Sequence, residues 1–312
     1  MSLRLEMLQV ARLAPRLLGD STPLVRDFLL REQNPEGGFK DRSGASDLYY
    51  TVFCLDGLIA VTAGEVAAEA GLARISPRAR AYLDSFGDGA GLDFVHLCCL
   101  ARAWAALAQF DHTPPAFPPT KLLDRLEKFR TPDGGYNPAS GGAAGTAYGA
   151  FLALGAWQDL RMDIPEKTRL ASSLEALRTA DGAWTNEILP AARSHGSTNA
   201  TAAVVSVLRN LGMPANPATG AWLVARAHSQ GGFRATPDAP LPDLLSTATA
   251  LHALAGLEIS LDPPVQERCL DFVDSLWTNA GGFHGHWSDD ALDSEYTFYG
   301  LLALGHLSLG DR

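Results

Sequence analysis

Residues Thr120–Trp157 read TKLLDRLEKFRTPDGGYNPASGGAAGTAYGAFLALGAW, and they hold one complete structural unit. In Thr120–Arg130, Leu122, Leu123, Leu126 and Phe129 recur at spacings of three and four with charges between them, the pattern of a helix with one wet face. Prolines and paired glycines then stop regular structure through Gly145. Gly145–Trp157 carries no charge on any side, so a helix there has to be buried all round. An amphipathic helix, a glycine loop ending in Tyr136 and an all-apolar helix together make a hairpin.

Moving away from this unit in both directions, the same punctuation returns. It appears as PEGGF (Pro35–Phe39), DGAW (Asp181–Trp184), QGGF (Gln230–Phe233) and AGGF (Ala280–Phe283), with a degenerate copy, FGDGAGL, at Phe86–Leu92. Neighbouring copies stand roughly 47 to 50 residues apart, a repeat-protein period. Amphipathic segments precede the loops, as in Thr22–Gln33 and Pro165–Arg178, and nearly charge-free ones follow, as in Ser246–Leu257. No unit alternates with period two, so no strand is expected. Six hairpins, each with one buried and one half-solvated helix, bury their apolar faces by closing into an all-α (α/α)6 toroid of six helical hairpin repeats. An open solenoid would leave the end units bare. Residues 1–20 are read as an extra N-terminal helix covering one side, and residues 1–312 as a single toroid domain of repeats of roughly 48 residues.

Composition narrows the function. Of 312 residues 46% are hydrophobic and 19% charged, with a formal net charge of −10. The chain can therefore fill a core, and its acidity argues against nucleic acid or an anionic membrane surface as partner. No apolar run is long enough for a membrane span. Arginines and a glutamate interrupt MSLRLEMLQVARLAPRLL at the start, which argues against a secretion signal. Cys54, Cys98, Cys99 and Cys269 form no framework spacing, so a cytoplasmic protein is expected.

In such a ring the six inner-helix N-termini converge on one mouth, each bringing unpaired N–H groups and the positive end of a helix dipole. Tyr49, Phe53, Trp104, Tyr148, Phe151, Phe298 and Tyr299 either wall a central cavity or fill a core. Asp47, Asp93, Asp243 and Asp293 fall at cap positions. Arg193 and His195 precede a neutral helix start, and an anionic head group would favour that side. Asp289, Asp290 and Asp293, in the string DDALD, are either a solvated acidic loop or oxygen ligands for magnesium. His96 and His252 read as satisfied core histidines, and His284 with His286 as loop residues rather than a metal pair.

These strings resemble the β subunits of protein prenyltransferases and, more distantly, the squalene and hopene cyclases. The resemblance spans all six units in phase. VHLCCLARAWAAL (Val95–Leu107) is similar to the family's second-unit helix, and DLYYTVFCLDGL (Asp47–Leu58) and EYTFYGLLALG (Glu295–Gly305) to its inner helices. GTAYGA puts Tyr148 at an isoprenoid-wall position, and SHGSTNATAAV (Ser194–Val204) puts His195 on a diphosphate-contacting histidine. The resemblance implies a ligand set of Arg193, His195, Tyr148, Tyr50, Asp243, Asp293, Tyr296 and Arg234, and a helical-repeat partner like the family's α subunit.

The departures concern metal and acid. Where the family carries Asp-x-Cys, this chain reads Asp243-Leu244-Leu245, and Tyr296 replaces the zinc-binding histidine. Thr236 and Ala239 stand where a diphosphate-gripping arginine and lysine are expected, leaving Arg234. There is no D-x-D-D acid string. Neither zinc nor zinc-dependent protein prenylation is therefore expected. The leading expectation is a cavity that binds an isoprenoid or similar hydrophobic ligand with a polar or diphosphate head. The alternatives are a ligand-free interaction scaffold and a non-zinc, metal- or acid-dependent isoprenoid or terpenoid enzyme.

Overall fold

In the computed structural model the described residues are 2–62, 66–111, 114–188, 195–213, 216 and 218–309, the side chains of 66–70 excepted. The chain enters through α1 (Leu3–Ala11) and a single turn, α2 (Pro15–Leu18). Outer and inner helices then alternate. The pairs are α3 (Thr22–Arg31) with α4 (Leu48–Thr62), α5 (Val66–Asp84) with α6 (Phe94–Leu107), and α7 (Pro119–Leu126) with α8 (Ala147–Asp159). They continue as α9 (Lys167–Glu175) with α10 (Thr198–Asn210), α11 (Ala218–Val224) with α12 (Leu244–Gly256), and α13 (Pro263–Ser275) with α14 (Ser294–Leu307). Each inner helix packs on the next, and α14 packs on α4. The ring is closed, as the buried character of all six inner helices requires.

Every inner helix starts on a side-chain cap. Asp47, Asp93, Thr146, Ser197, Asp243 and Asp293 each accept the N–H three residues on, that of Tyr50, His96, Gly149, Ala200, Ser246 or Tyr296. Such caps fix the six N-termini at one rim. The loops before them are short antiparallel elements, a correction to the expectation of no strands. β1 (Phe39–Lys40) pairs with β2 (Ser46–Asp47), and β3 (Phe233–Arg234) with β4 (Pro242–Asp243). The second unit's loop is built of turns alone, and in the third, fourth and sixth units single bridges suffice, such as Arg130 with Tyr136 and Arg178 with Trp184. They are too short to leave an alternating pattern in sequence.

The loop aromatics Phe39, Tyr136, Trp184, Phe233 and Phe283 are at most 1% exposed and anchor each loop in the core. In four units a threonine one turn into the inner helix accepts the aromatic's N–H: Thr51 from Phe39, Thr201 from Trp184, Thr247 from Phe233 and Thr297 from Phe283. The loop's glycine meets the following unit's outer helix. At Gly231 (φ +97°) a Cβ would lie 1.9 Å from the Arg268 carbonyl oxygen, and at Gly281 (φ +95°) 2.1 Å from that of Leu24. Because Leu24 belongs to α3, the sixth loop closes the outer ring on the first unit.

In place of one helix, residues 2–20 hold the two pieces α1 and α2 and the start of a 3-10 turn at Gly19–Ser21. Helix α1 packs against α14, α4, α8 and α10, across the inner-helix ends remote from the capped rim. Arg4 binds it there. Its Nη1 donates to Asp56 Oδ1 at 3.0 Å, its Nε to Asp159 Oδ1 at 3.1 Å and its Nη2 to the Ala105 carbonyl at 3.3 Å. Arg102 Nε reaches the other oxygen of Asp56 at 2.9 Å. Two cations and two carboxylates thus neutralise one another in the interior, and the lower end of the ring is stoppered.

Candidate functional site

Between the capped rim and α1 lies a hollow with two compartments. The larger has a volume of about 310 Å³ and a smaller one of about 60 Å³ adjoins it. Tyr49, Tyr148, Phe151, Tyr299 and Met7 border both. Leu245, Leu302, Ala202 and Ala203 complete most of the larger wall, with Asn199, Ser206, Thr249 and His252 as its polar members. Cys98, Cys99, Arg102 and Asp159 border the smaller one. Burial pushes the Asp159 carboxyl up to about 6 against the pull of Arg4 and Arg102.

Glu295, in the first turn of α14, is the polar group that sequence reading missed. Its Oε1 accepts the Tyr49 hydroxyl at 2.6 Å. Burial pushes its carboxyl up to about 7; the Tyr49 hydrogen bond lowers it, Asp293 raises it and Arg42 lowers it. Burial also raises the phenols of Tyr49, Tyr148 and Tyr299, so all three stay neutral. The signal available in sequence was a lone glutamate in an otherwise charge-free inner helix.

Opposite sides of the rim differ in charge. Arg42 Nε donates to Asp293 Oδ2 at 2.8 Å and its Nη2 to Asp289 Oδ2 at 3.0 Å, while its guanidinium lies 5.2 Å above the Tyr296 ring. Asp290 is exposed. The candidate magnesium loop is thus occupied by an arginine, and among the described residues no group of three or more His, Cys, Asp or Glu side chains is placed to hold a metal. Further along the rim, Thr198 donates its N–H to Ala235 and its hydroxyl to Arg234, both at backbone oxygens. That brings the Arg234 segment beside the start of α10, three residues from His195. His195 is exposed and Arg193 lies outside the described residues.

The other candidates fall into place around this rim. Tyr148 is 37% exposed and borders the cavity. Tyr50 is partly buried near Asp293 and Glu295, and burial raises its phenol. Asp243 gives both carboxylate oxygens to Ser246, to the N–H and the hydroxyl, each at 2.7 Å. Burial raises its pKa. Leu245 borders the cavity and the Tyr296 ring packs on Gly285. A committed carboxylate, a leucine and a phenol are not a zinc donor set, so the residues present do not fit that metal.

Of the two readings of Trp104, the core one holds: it is 4% exposed and lines neither compartment, with Arg80 5.2 Å above its ring and Phe117 packed at 6.4 Å. Two other expectations need correction. His96 sits at the rim rather than in the core, its Nδ1 2.9 Å from Asp93 and its Nε2 3.1 Å from Asp47. His252 is buried but only half satisfied: Nδ1 lies 3.1 Å from His306 Nε2, and its own Nε2 has no partner among the described residues.

With this geometry in view, the chain's relatives can be placed. The family model of the prenyltransferase alpha-alpha toroid domain matches residues 16–80, 71–234 and 203–309. No curated protein matches the sequence. Among solved structures, the type II terpene cyclase MstE from Scytonema is similar at TM-score 0.62 and 16% identity, covering 95% of this chain and 98% of that one. Protein geranylgeranyltransferase-I of Candida albicans, complexed with GGPP, gives TM-score 0.63 and 14% identity over 93% and 91%. An α-1,6-mannanase of Salegentibacter gives TM-score 0.63 and 13% identity over 93% and 99%. At these identities the likeness is one of fold.

Proposed function

The chain belongs to the prenyltransferase alpha-alpha toroid family, and from that premise we propose that its central cavity binds an isoprenoid or similar hydrophobic chain carrying a polar or diphosphate head. The observation that carries this reading is the 310 Å³ hollow inside the ring, walled by Tyr49, Tyr148, Phe151 and Tyr299. Its volume lies at the lower end of the range for small-molecule sites. Two structures of similar fold lend support: MstE bound to geranylgeranyl dihydroxybenzoate and the geranylgeranyltransferase with GGPP. The tail would lie against the aromatic wall and the head at the capped rim. There the neutral caps Thr146 and Ser197, with the Arg234 segment and His195 near the start of α10, favour an anion. No metal enters this reading. Free, buried cysteines agree with a reducing compartment, and no helix among the described residues is long and apolar enough to cross a membrane.

Native mass spectrometry with farnesyl and geranylgeranyl diphosphate tests it. One ligand per chain is expected, weakened about tenfold in Tyr148→Ala, which removes a ring from the wall. Absence of any adduct would leave the scaffold reading in its place.

Glu295 favours a second reading, acid-dependent chemistry on the bound chain. A buried carboxyl titrating near 7 is half protonated at neutrality, and Tyr49 links it to the wall. Its pKa is raised on folding, so ionisation costs the folded state stability as pH rises from about 4.5 through 7. Glu295→Gln is expected to stabilise the protein at pH 8 by about 2 kcal/mol in denaturant titrations. It should keep ligand binding and lose any conversion of the ligand. Conversion at the unmutated rate would remove Glu295 as the acid.

A further inference from the structure

Most of the larger compartment's wall is apolar, which makes His252 conspicuous. It is 8% exposed and borders the cavity, and His306 on α14 engages its Nδ1. Nε2 is the ring's one uncommitted nitrogen, and a buried polar atom left without a partner costs roughly 1–3 kcal/mol. The depth of this atom has meaning for a ligand. Leu245 and His252 border the same compartment from one helix, so His252 lies about 10 Å below the rim at 1.5 Å rise per residue.

We propose that His252 Nε2 is a second polar contact for the ligand, receiving a hydroxyl at the end of the chain remote from the head. This rests on the reading of the cavity as a hydrophobic-ligand site and narrows its substrate class from a plain hydrocarbon tail to an oxygenated one. The choice of a hydroxyl follows from tautomers. If His252 Nδ1–H donates to His306, Nε2 is a bare lone pair and needs a donor; if His306 Nε2–H donates, His252 carries its proton on Nε2 and needs an acceptor. A hydroxyl serves either case, whereas a carbonyl or a protonated amine serves only one. Burial keeps the ring neutral, its pKa pushed down to about 4, so a charged partner is not called for.

The test compares decanol with the decanediol that bears hydroxyls at both ends, by calorimetric titration of the full chain. In the unmutated protein the two are expected to bind within about threefold of each other, because His252 replaces the water lost by the second hydroxyl. In His252→Phe the diol should fall about tenfold or more below the mono-ol. If the mono-ol binds and the diol is disfavoured equally in both proteins, the proposal is overturned while the cavity reading stands. A water already serving His252 would give that same result. If neither alcohol binds, the cavity reading falls and takes this one with it. Should His252→Phe not fold, nitrogen NMR of the unmutated protein decides: the His252 Nε2 resonance shifts with the diol and not with the mono-ol, and an unmoved resonance overturns the assignment.

Discussion

His96 illustrates how one side chain couples two repeats. Its two ring nitrogens face the carboxylates of Asp93 and Asp47, the caps of adjacent inner helices. A neutral imidazole has one N–H and would turn a lone pair toward one of them, so the arrangement favours the imidazolium. Burial lowers its pKa, but the hydrogen bonds to Asp93 and Asp47 outweigh this and raise it. A raised folded-state value means the stabilisation is full below about 6.5 and lost as pH rises through the folded pKa. With the ring 32% exposed the effect is screened, and His96→Gln should cost roughly 0.5–1 kcal/mol at pH 5.5 and little at pH 9. Equal losses at both pH values, by urea titration, would exclude a charged bridge. From sequence alone His96 reads as a core residue, because helix periodicity locates a face without saying how far along the helix the rim lies. Glu295 escapes for a similar reason: its importance depends on Tyr49, 246 residues away.

Among the elements, the caps were the most legible feature. Asp47, Asp93, Asp243 and Asp293 are visible in sequence because short polar residues before charge-free helices have few other roles. The threonines that tie loop to helix were not. Thr51, Thr201, Thr247 and Thr297 sit inside apolar segments, and their function appears only when the loop aromatic's N–H is seen to meet the hydroxyl. Thr247 also donates to its cap's carbonyl at 2.7 Å. Thr247→Val keeps the shape and removes a hydroxyl that accepts the Phe233 N–H, so a loss of about 1 kcal/mol or more is expected from equilibrium unfolding. Thr247→Ser should restore most of it. If valine is tolerated within 0.5 kcal/mol, roughly the noise of a neutral surface change, the loop is held by its aromatic alone.

For the molecule as a whole, the repeat period and the all-apolar segments were enough to infer ring closure, since six greasy helices have nowhere else to go. The stopper was only half legible. An amphipathic start is plain in sequence, but Arg4 reads as a surface charge until Asp56 and Asp159 are brought beneath it. Removing one member of a buried ionic cluster leaves charge uncompensated. Arg4→Met is therefore expected to cost about 3 kcal/mol, with Arg102 still holding Asp56, and to raise binding of a hydrophobic dye as the lower end loosens. Unchanged stability and dye binding would mean that α1 rests on its apolar contacts alone.

The junction of α14 with α4, and of the sixth loop with α3, also constrains how the protein is born. The first hairpin to leave the ribosome finds its neighbour on one side at once, yet waits for the last hairpin on the other. Until then its naked flank faces solvent, and partial chains carry sticky edges that full ones hide. Most inner helices meet the next one along the chain, so the pairing of α14 with α4 closes the longest loop and carries the largest entropic cost. Nascent rings of this kind would be natural clients of holding chaperones, and single-repeat deletions would be punished far beyond the contacts they remove.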